Sequence, residues 1–144
     1  METTLVRTDI AFDDEGELRR DLTGTAERDL SAAAMRGFTR IVELWGLDFD
    51  QQITLLGIPK STFYKYRKTP ATSRFSKDTL ERVSYVFGIY KALAILLPRT
   101  EAADAWVKRP NDIFNGQSAL DRMLRGNVAD LYYVRHYLDA ERGA

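Results

Sequence analysis

Apolar residues recur at intervals of three and four from residue 31 to the end of the chain, and no segment alternates between apolar and polar positions. That periodicity predicts helices and no strands, and therefore an all-α protein. The predicted helices cover residues 31–46, 49–56, 60–67, 77–97, 100–107, 119–125 and 128–142. Their predicted N-caps are the short polar residues Asp48, Ser76, Thr100, Ser118 and Asn127.

The fourth predicted helix, residues 77–97, is apolar around nearly its whole circumference. Such a helix is buried by its neighbours or lies at a dimer interface. Its apolar stretch is interrupted by Lys91 and is too short to span a bilayer, so we expect no membrane partner.

The composition is ordinary for a soluble globular protein, with 144 residues of which 44% are hydrophobic and 29% charged. The absence of cysteine excludes disulfides and thiolate metal sites, and a single histidine, His136, argues against a zinc site. The N-terminus lacks the basic start and apolar run of a signal peptide, so a cytoplasmic location is expected. We find no catalytic, cofactor or metal-ligand motif, and we predict neither a cofactor, a small-molecule substrate nor an enzyme.

The charges are unevenly distributed along a chain whose formal net charge is zero. Residues 1–30 carry a net charge of −5 and no sustained apolar period, which predicts a mobile acidic arm. Residues 31–100 carry +6, and between Lys60 and Lys77 there are six basic residues and no acid. This local positive patch indicates either a surface that faces a polyanion or a solvated basic turn.

The basic patch includes the stretch "GIPKSTFYKYRK", which has the layout of a helix-turn-helix. Gly57 makes the turn, while Phe63 and Tyr66, three residues apart, can face the core. Ile53 stands where such motifs usually carry alanine or glycine. The residues predicted to face DNA are Lys60, Ser61, Thr62, Tyr64, Lys65, Arg67 and Lys68. The alternative is that the aromatic residues pack against the long helix and the basic residues are only solvated.

A second pattern follows the long helix: a tryptophan, then R-P-N-x-x-F-x-G-x-S-x-L, a glycine, and R-x-Y-L-D-x-x-R-G at the end of the chain. This pattern resembles the toxin-binding domain of the Xre/MbcA/ParS antitoxins, and the helix-turn-helix fits the N-terminal part of the same family. The matching residues are Trp106, Arg109, Pro110, Asn111, Phe114, Gly116, Ser118, Leu120, Gly126, Asp130, Leu131, Arg135, Tyr137, Leu138, Asp139, Arg142 and Gly143. Ala119 stands where the family pattern suggests proline.

The resemblance implies an antitoxin that neutralises a RES-domain toxin, which consumes NAD or uses it to ADP-ribosylate a target. It further implies that the C-terminal region covers the toxin's cofactor pocket, that the protein or the toxin–antitoxin pair represses its own operon by binding operator DNA, and that homodimers and larger toxin–antitoxin complexes form. The residues predicted to bind the toxin are Arg135, Tyr137, Leu138, Arg142, Gly143 and Ala144.

Three features of the C-terminal half have alternative interpretations. Arg135 lies within the apolar arc of the last helix, so it either pairs internally, with Asp112 or Asp121, or contacts the toxin directly. The end of the chain is either an inserted tail or a frayed terminus. Phe114 is predicted to fill the gap between helices, and Asn111 to satisfy the backbone of its turn.

We therefore predict a helix-turn-helix and dimerisation region over residues 31–75, and the long helix with a toxin-binding domain over residues 76–144. The main competing interpretation is a stand-alone dimeric helix-turn-helix repressor, whose C-terminal half serves only dimerisation. An enzyme with an unrecognised site is a weaker alternative.

Overall fold

A computed structural model describes residues 24–143 of the chain, with side chains from residue 28 onward. Seven α-helices and two short 3₁₀ turns follow one another in this part of the chain, which contains no β-strand, so the all-α prediction is confirmed. The helices are α1 Gly24–Leu44, α2 Phe49–Leu56, α3 Lys60–Lys68, α4 Lys77–Leu96, α5 Thr100–Trp106, α6 Ala119–Met123 and α7 Val128–Glu141. The 3₁₀ turns are Pro70–Thr72 and Asp112–Phe114.

The first helix begins at Gly24, seven residues before the predicted start. Leu30 is buried and lies four residues before Ala34, so the apolar face extends further toward the N-terminus than the prediction allowed. Residues 24–30, the last part of the predicted acidic arm, are therefore helical. Residues 1–23, the rest of that arm, lie outside the described residues.

Helices α2 and α3 form the predicted helix-turn-helix, and local side-chain contacts set both ends of α2. The Asp48 carboxylate accepts from the Gln51 backbone nitrogen at 2.8 Å, and the Gln51 side chain accepts from the Asp48 backbone nitrogen at 2.9 Å. This capping box confirms Asp48 as the N-cap. Gly57 has a φ of 67° and ends α2 in the left-handed conformation, which glycine adopts without steric cost.

Helix α4 is the centre of the fold and packs against α1, α2, α5 and α7. Its N-cap is Ser76, as predicted, whose hydroxyl accepts from the Thr79 backbone nitrogen at 3.1 Å. The middle of the helix, residues 83–90, is buried on nearly all sides, whereas its ends are more open and Ile95 in the last turn is 53% exposed. A single hydrophobic core joins residues from α1, α4 and α7, so both halves of the chain share it.

The C-terminal helices have tight local caps, with one difference from the predicted set. Ser118 and Asp121 form a reciprocal capping box at the start of α6. Asn127 occupies the N-cap position of α7, as predicted. Thr100 does not cap α5: it is the first helical residue, and Arg99 stands at the cap position without a side-chain cap.

Candidate partner-binding surfaces

Helix α3 buries its aromatic edge and exposes most of its basic one. Phe63 and Tyr66 are buried, as the helix-turn-helix layout predicted. Thr62 is half-buried. The predicted DNA-facing residues that are exposed are Lys60, Ser61, Tyr64, Lys65 and Lys68. The fold therefore presents a basic, hydroxyl-bearing face, which is the chemistry that binds phosphates and base edges.

Arg67 differs from the other predicted DNA contacts because it is held by residues of the protein. Its Nη2 lies 3.2 Å from the Glu43 carboxylate on α1, and its guanidinium carbon lies 4.6 Å from the centre of the Phe49 ring. Both contacts are made by the guanidinium of Arg67. Through them, this half-buried side chain holds α3 against α1 and α2. A wheel of α3 alone cannot show this, because both partners come from other helices.

The turn between α2 and α3 closes in spite of the branched side chain at residue 53. Ile53 is half-buried and packs against the core, and its carbonyl accepts from the Gly57 backbone nitrogen at 2.9 Å. The side of Gly57 that lacks a Cβ is occupied by Arg82, since a Cβ there would come within 2.8 Å of the guanidinium. The turn therefore needs glycine both for its φ and for the space.

Arg82 of α4 connects the helix-turn-helix with the C-terminal domain, and its side chain is 11% exposed. Its Nη1 donates to the Thr54 and Leu55 carbonyls at 3.5 and 3.4 Å, at the end of α2. Its Nη2 donates to the Gly126 carbonyl at 2.9 Å, just before α7. The sequence analysis missed this residue, because a base four positions after Asp78 on a helix is typical of an exposed ion pair.

Four aromatic rings form a cluster between the loop after α5 and the last helix: Trp106, Phe114, Tyr133 and Tyr137. Phe114 is buried, and its ring centre lies 6.1 to 6.2 Å from the other three. This confirms the prediction that Phe114 fills the gap between helices. Asn111 also acts as predicted, since its side chain accepts from the Ile113 backbone nitrogen at 3.2 Å.

Tyr137 is half-buried in this cluster, and its pKa is raised. Burial, and then the charges of Glu141 and Tyr133, raise the pKa of the Tyr137 hydroxyl above its ordinary value. The hydroxyl is therefore a protonated hydrogen-bond donor throughout the physiological pH range. A protonated phenol beside an apolar cluster is typical of interface anchors.

A buried ion pair supports the start of α7. Burial raises the pKa of the Asp130 carboxyl, but hydrogen bonds from Arg122 and the Asn127 backbone outweigh it and hold that pKa below its ordinary value. The Arg122 Nε lies 2.8 Å from Asp130, and its guanidinium stacks 3.9 Å above the Tyr133 ring. Arg122 thus ties α6 to α7 and to the aromatic cluster.

Arg135 has an internal position, and its side chain is 12% exposed. It lies against Gly88 of α4, where a Cβ would come within 2.5 Å of its Nε. Its Nε lies 3.4 Å from Asp139, one turn further along α7. The predicted partners were Asp112 and Asp121, but Asp121 instead caps α6.

The remaining residues predicted to bind toxin divide into core and surface. Leu138 is 2% exposed and belongs to the hydrophobic core, so its side chain cannot contact a partner while the fold is intact. Tyr137 is half-buried, whereas Arg142 and Gly143 are exposed at the end of the chain. Ala144 lies outside the described residues.

The side chains described for residues 28–143 form no group of three or more histidine, cysteine, aspartate or glutamate residues that could hold a metal ion. Within the same part of the chain, no helix has the length and apolar character needed to cross a membrane. His136 is exposed and stacks on Tyr132, with ring centres 5.3 Å apart.

Two known families match successive parts of the chain, and the boundary between the two matches lies within α4. Residues 25–88 match the antitoxin Xre-like helix-turn-helix domain, and residues 92–143 match the antitoxin Xre/MbcA/ParS C-terminal toxin-binding domain. The chain belongs to the Xre/MbcA/ParS-type antitoxins. This antitoxin therefore combines a helix-turn-helix with a toxin-binding domain, and domains of these families are typically non-enzymatic.

One curated relative of the antitoxin is the uncharacterized protein y4oB of Sinorhizobium fredii (strain NBRC 101917 / NGR234). The two chains are 52% identical over 112 residues, which cover 77% of the antitoxin and 85% of the relative. The similarity thus extends over most of both chains.

Proposed function

We propose that this antitoxin neutralises a RES-domain toxin, one that consumes NAD or uses it to ADP-ribosylate a target, by covering the toxin's cofactor pocket with its C-terminal tail. This tail consists of residues 142–144. The observation that carries the proposal is the match of residues 92–143 to a toxin-binding domain, together with the exposure of Arg142 and Gly143 at its very end.

The shape and charge of the tail support insertion into a pocket. Arg142 follows the last turn of α7, and its guanidinium is a planar donor that is always charged. Gly143 has a φ of 78° and carries no side chain, so the chain is narrow where it leaves the helix. A narrow extension with one charged group can enter a small-molecule pocket that a helix cannot.

The exposed part of the aromatic cluster is the second element of the proposed toxin contact. Tyr133 is 36% exposed and Tyr137 is half-buried, so part of each side chain is accessible to a partner. Tyrosine is enriched at the energetically important centres of interfaces, because it buries a large area at little entropic cost. In this proposal Leu138 supports those rings from the core and does not touch the toxin.

The helix-turn-helix is proposed to bind operator DNA and thereby to repress the antitoxin's own operon. The exposed residues of α3, among them Lys60, Lys65 and Lys68, supply phosphate contacts, while Ser61 and Tyr64 supply hydroxyl groups. Arg67 contributes by holding α3 in place against Glu43 and Phe49.

The antitoxin is further proposed to act as a homodimer that forms larger complexes with the toxin. The last turn of α4 supports this, because Ile95 is 53% exposed and Leu93 and Ala94 of the same turn line a groove of about 270 Å³ together with Leu44 and Leu97. Contiguous exposed apolar surface is typical of sites that bind another chain. Light scattering of the full-length protein measures the mass directly, and a monomer would contradict the proposal.

Co-expression with the neighbouring gene, which the proposal predicts to encode a RES-domain toxin, tests the neutralisation proposal. The full-length antitoxin should co-purify with the toxin and keep cellular NAD, or the toxin's target, unchanged. A variant that ends at Glu141 should fold with the same melting temperature but lose neutralisation, because it lacks the tail. A variant with Glu141→Gln and an intact tail is the matched control and should still neutralise.

The results separate the proposal from its alternative. If the variant that lacks the tail protects cells as well as the full-length protein does, the tail does not cover the toxin's pocket. If no protein of toxin size co-purifies while operator binding persists, the protein is a stand-alone repressor.

A further inference from the structure

Asp139 contacts two arginines, the largely buried Arg135 within α7 and the exposed Arg142 just after that helix. Its Oδ2 lies 3.4 Å from the Arg135 Nε, and its Oδ1 lies 3.3 Å from the Arg142 Nη1. Each of the two carboxylate oxygens of Asp139 thus pairs with a different guanidinium. The Arg135 side chain is 12% exposed, whereas the side chains nearer the tail, Asp139 and Arg142, are 30% and 27% exposed.

The buried end of this network is anchored in the centre of the fold. Gly88 lies in the middle of α4, where glycine costs about 1 kcal/mol of helix stability relative to alanine. A Cβ at that position would come within 2.5 to 2.7 Å of the Arg135 Nε, Cδ and Cζ. Gly88 therefore leaves the space that lets Arg135 lie flat against α4, and Arg135 in turn fixes one side of Asp139.

We propose that Asp139 is a positioning residue for toxin binding, which ties the tail guanidinium of Arg142 to the anchored Arg135 before the toxin arrives. This inference rests on the proposed insertion of the tail into the toxin. Arg142 enters the toxin, Arg135 remains inside the antitoxin, and Asp139 connects them.

The physical basis is preorganisation of a side chain at the end of a helix. An isolated ion pair with this exposure contributes little to folding, because solvent screens it and two long side chains lose entropy. Binding is affected differently, since a toxin that must immobilise a free arginine loses affinity to that ordering cost. Because Asp139 is itself held by Arg135, its pairing with Arg142 reduces the number of conformations that Arg142 must lose when the toxin binds.

A double-mutant cycle tests whether Asp139 acts through Arg142. The variants are Asp139→Asn, Arg142→Ala and the two combined, each made in the full-length antitoxin and measured for binding to the RES-domain toxin that the proposal predicts as its partner. Asp139→Asn should weaken binding by about two- to tenfold, the cost of ordering one long side chain. In the Arg142→Ala background the same change should have no further effect. Glu141→Gln removes an equal charge from the same turn and should leave binding unchanged.

A measurement without toxin keeps this inference separate from the function on which it rests. In the free antitoxin, Asp139→Asn should lower the heteronuclear NOE of the Arg142 and Gly143 amides, whereas Glu141→Gln should not. Gly88→Ala should have the same effect from the other end of the network, because the added Cβ displaces Arg135.

Each outcome has a definite meaning. If Arg142→Ala itself leaves toxin binding unchanged, the proposed tail insertion is wrong. If Arg142→Ala weakens binding but Asp139→Asn does not, or strengthens it, the positioning role alone is wrong. Equal losses from Asp139→Asn with and without Arg142 would also overturn the positioning role, as would unchanged tail dynamics in the free protein.

Discussion

Helices α3 and α7 each contain an arginine that the sequence predicted to contact a partner, for Arg135 as one of two alternatives, and that other residues of the fold engage. Arg67 of α3 pairs with Glu43 of α1 and stacks on Phe49 of α2, yet its side chain is still 29% exposed. Arg135 of α7 pairs within its own helix and lies against α4, with an exposure of 12%. Arg67 therefore holds a surface helix in place, whereas Arg135 lies mostly inside the fold.

The difference follows from how each helix packs. Helix α3 buries one aromatic edge, so its lysines remain exposed even though Arg67 is engaged. Helix α7 packs along α4 and also meets α6, and therefore the groups it leaves for a partner lie at its rim and at its end. A DNA surface can be spread along α3, whereas the proposed toxin surface of α7 is limited to two tyrosines and the tail.

The sharpest test of the α7 side of this comparison is Leu138→Ala. Leu138 is 2% exposed, so truncation should leave a cavity and lower the free energy of unfolding by about 2–5 kcal/mol. Urea unfolding followed by circular dichroism measures that loss. A stable variant with reduced toxin binding would instead restore Leu138 as a direct contact.

A smaller loss of stability is expected when the ion pair at the start of α7 is removed. Asp130→Asn removes a buried charged acceptor of Arg122 and should lower the free energy of unfolding by about 1.5–3 kcal/mol. The pKa of Asp130 is depressed in the folded protein, so its contribution is complete above the ordinary carboxyl value of 3.8 and is lost as the pH falls through the folded value.

The variant should therefore differ most from the wild type near neutral pH, and the difference should shrink in acid. Chemical unfolding at several pH values measures it, with Asp112→Asn, an exposed acid in the same domain, as the control. A pH-independent difference would mean that the charge of Asp130 is not what stabilises α7.

The smallest expected effect distinguishes Lys65 from Arg67 on α3. Each lost phosphate contact lowers the log–log dependence of DNA affinity on salt by about 0.9, so Lys65→Ala should reduce that slope by roughly this amount. Arg67→Ala should reduce it less, because its guanidinium is engaged by Glu43. Affinity for a mixed-sequence duplex over a salt series gives both slopes, and Lys91→Ala, exposed on α4, is the control. Equal slopes for the Lys65 and Arg67 variants would make both residues equivalent DNA contacts.

Much of the fold could be predicted because its signals are local. The Asp48 side chain reaches the Gln51 backbone nitrogen within one turn, so its role as N-cap could be predicted from the residues around it. Gly57 and the apolar spacing of α2 predicted the same helix bounds that the structure has. The start of α1 was missed because residues 24–29 show no apolar period in the sequence, and the first buried apolar residue among the described side chains is Leu30.

The candidate surfaces were predicted less completely, since they depend on contacts between distant segments. Arg67 meets Glu43 from 24 positions away, and Arg82 meets Gly126 from 44 positions away. Leu138 and Tyr137 are neighbours in sequence, but only the packing of α7 shows that the first is core and the second is partly accessible.

The sequence by itself determined the helices, most of their caps, the helix-turn-helix and the kinship of the chain with antitoxins, because these depend on periodicity and on motifs within short segments. Only the tertiary structure decided which charged side chains are available to partners. That availability depends on Gly57 and Gly88, whose missing side chains make room for Arg82 and Arg135. Such space exists only once α4 has packed against its neighbours, and so no single stretch of sequence reveals it.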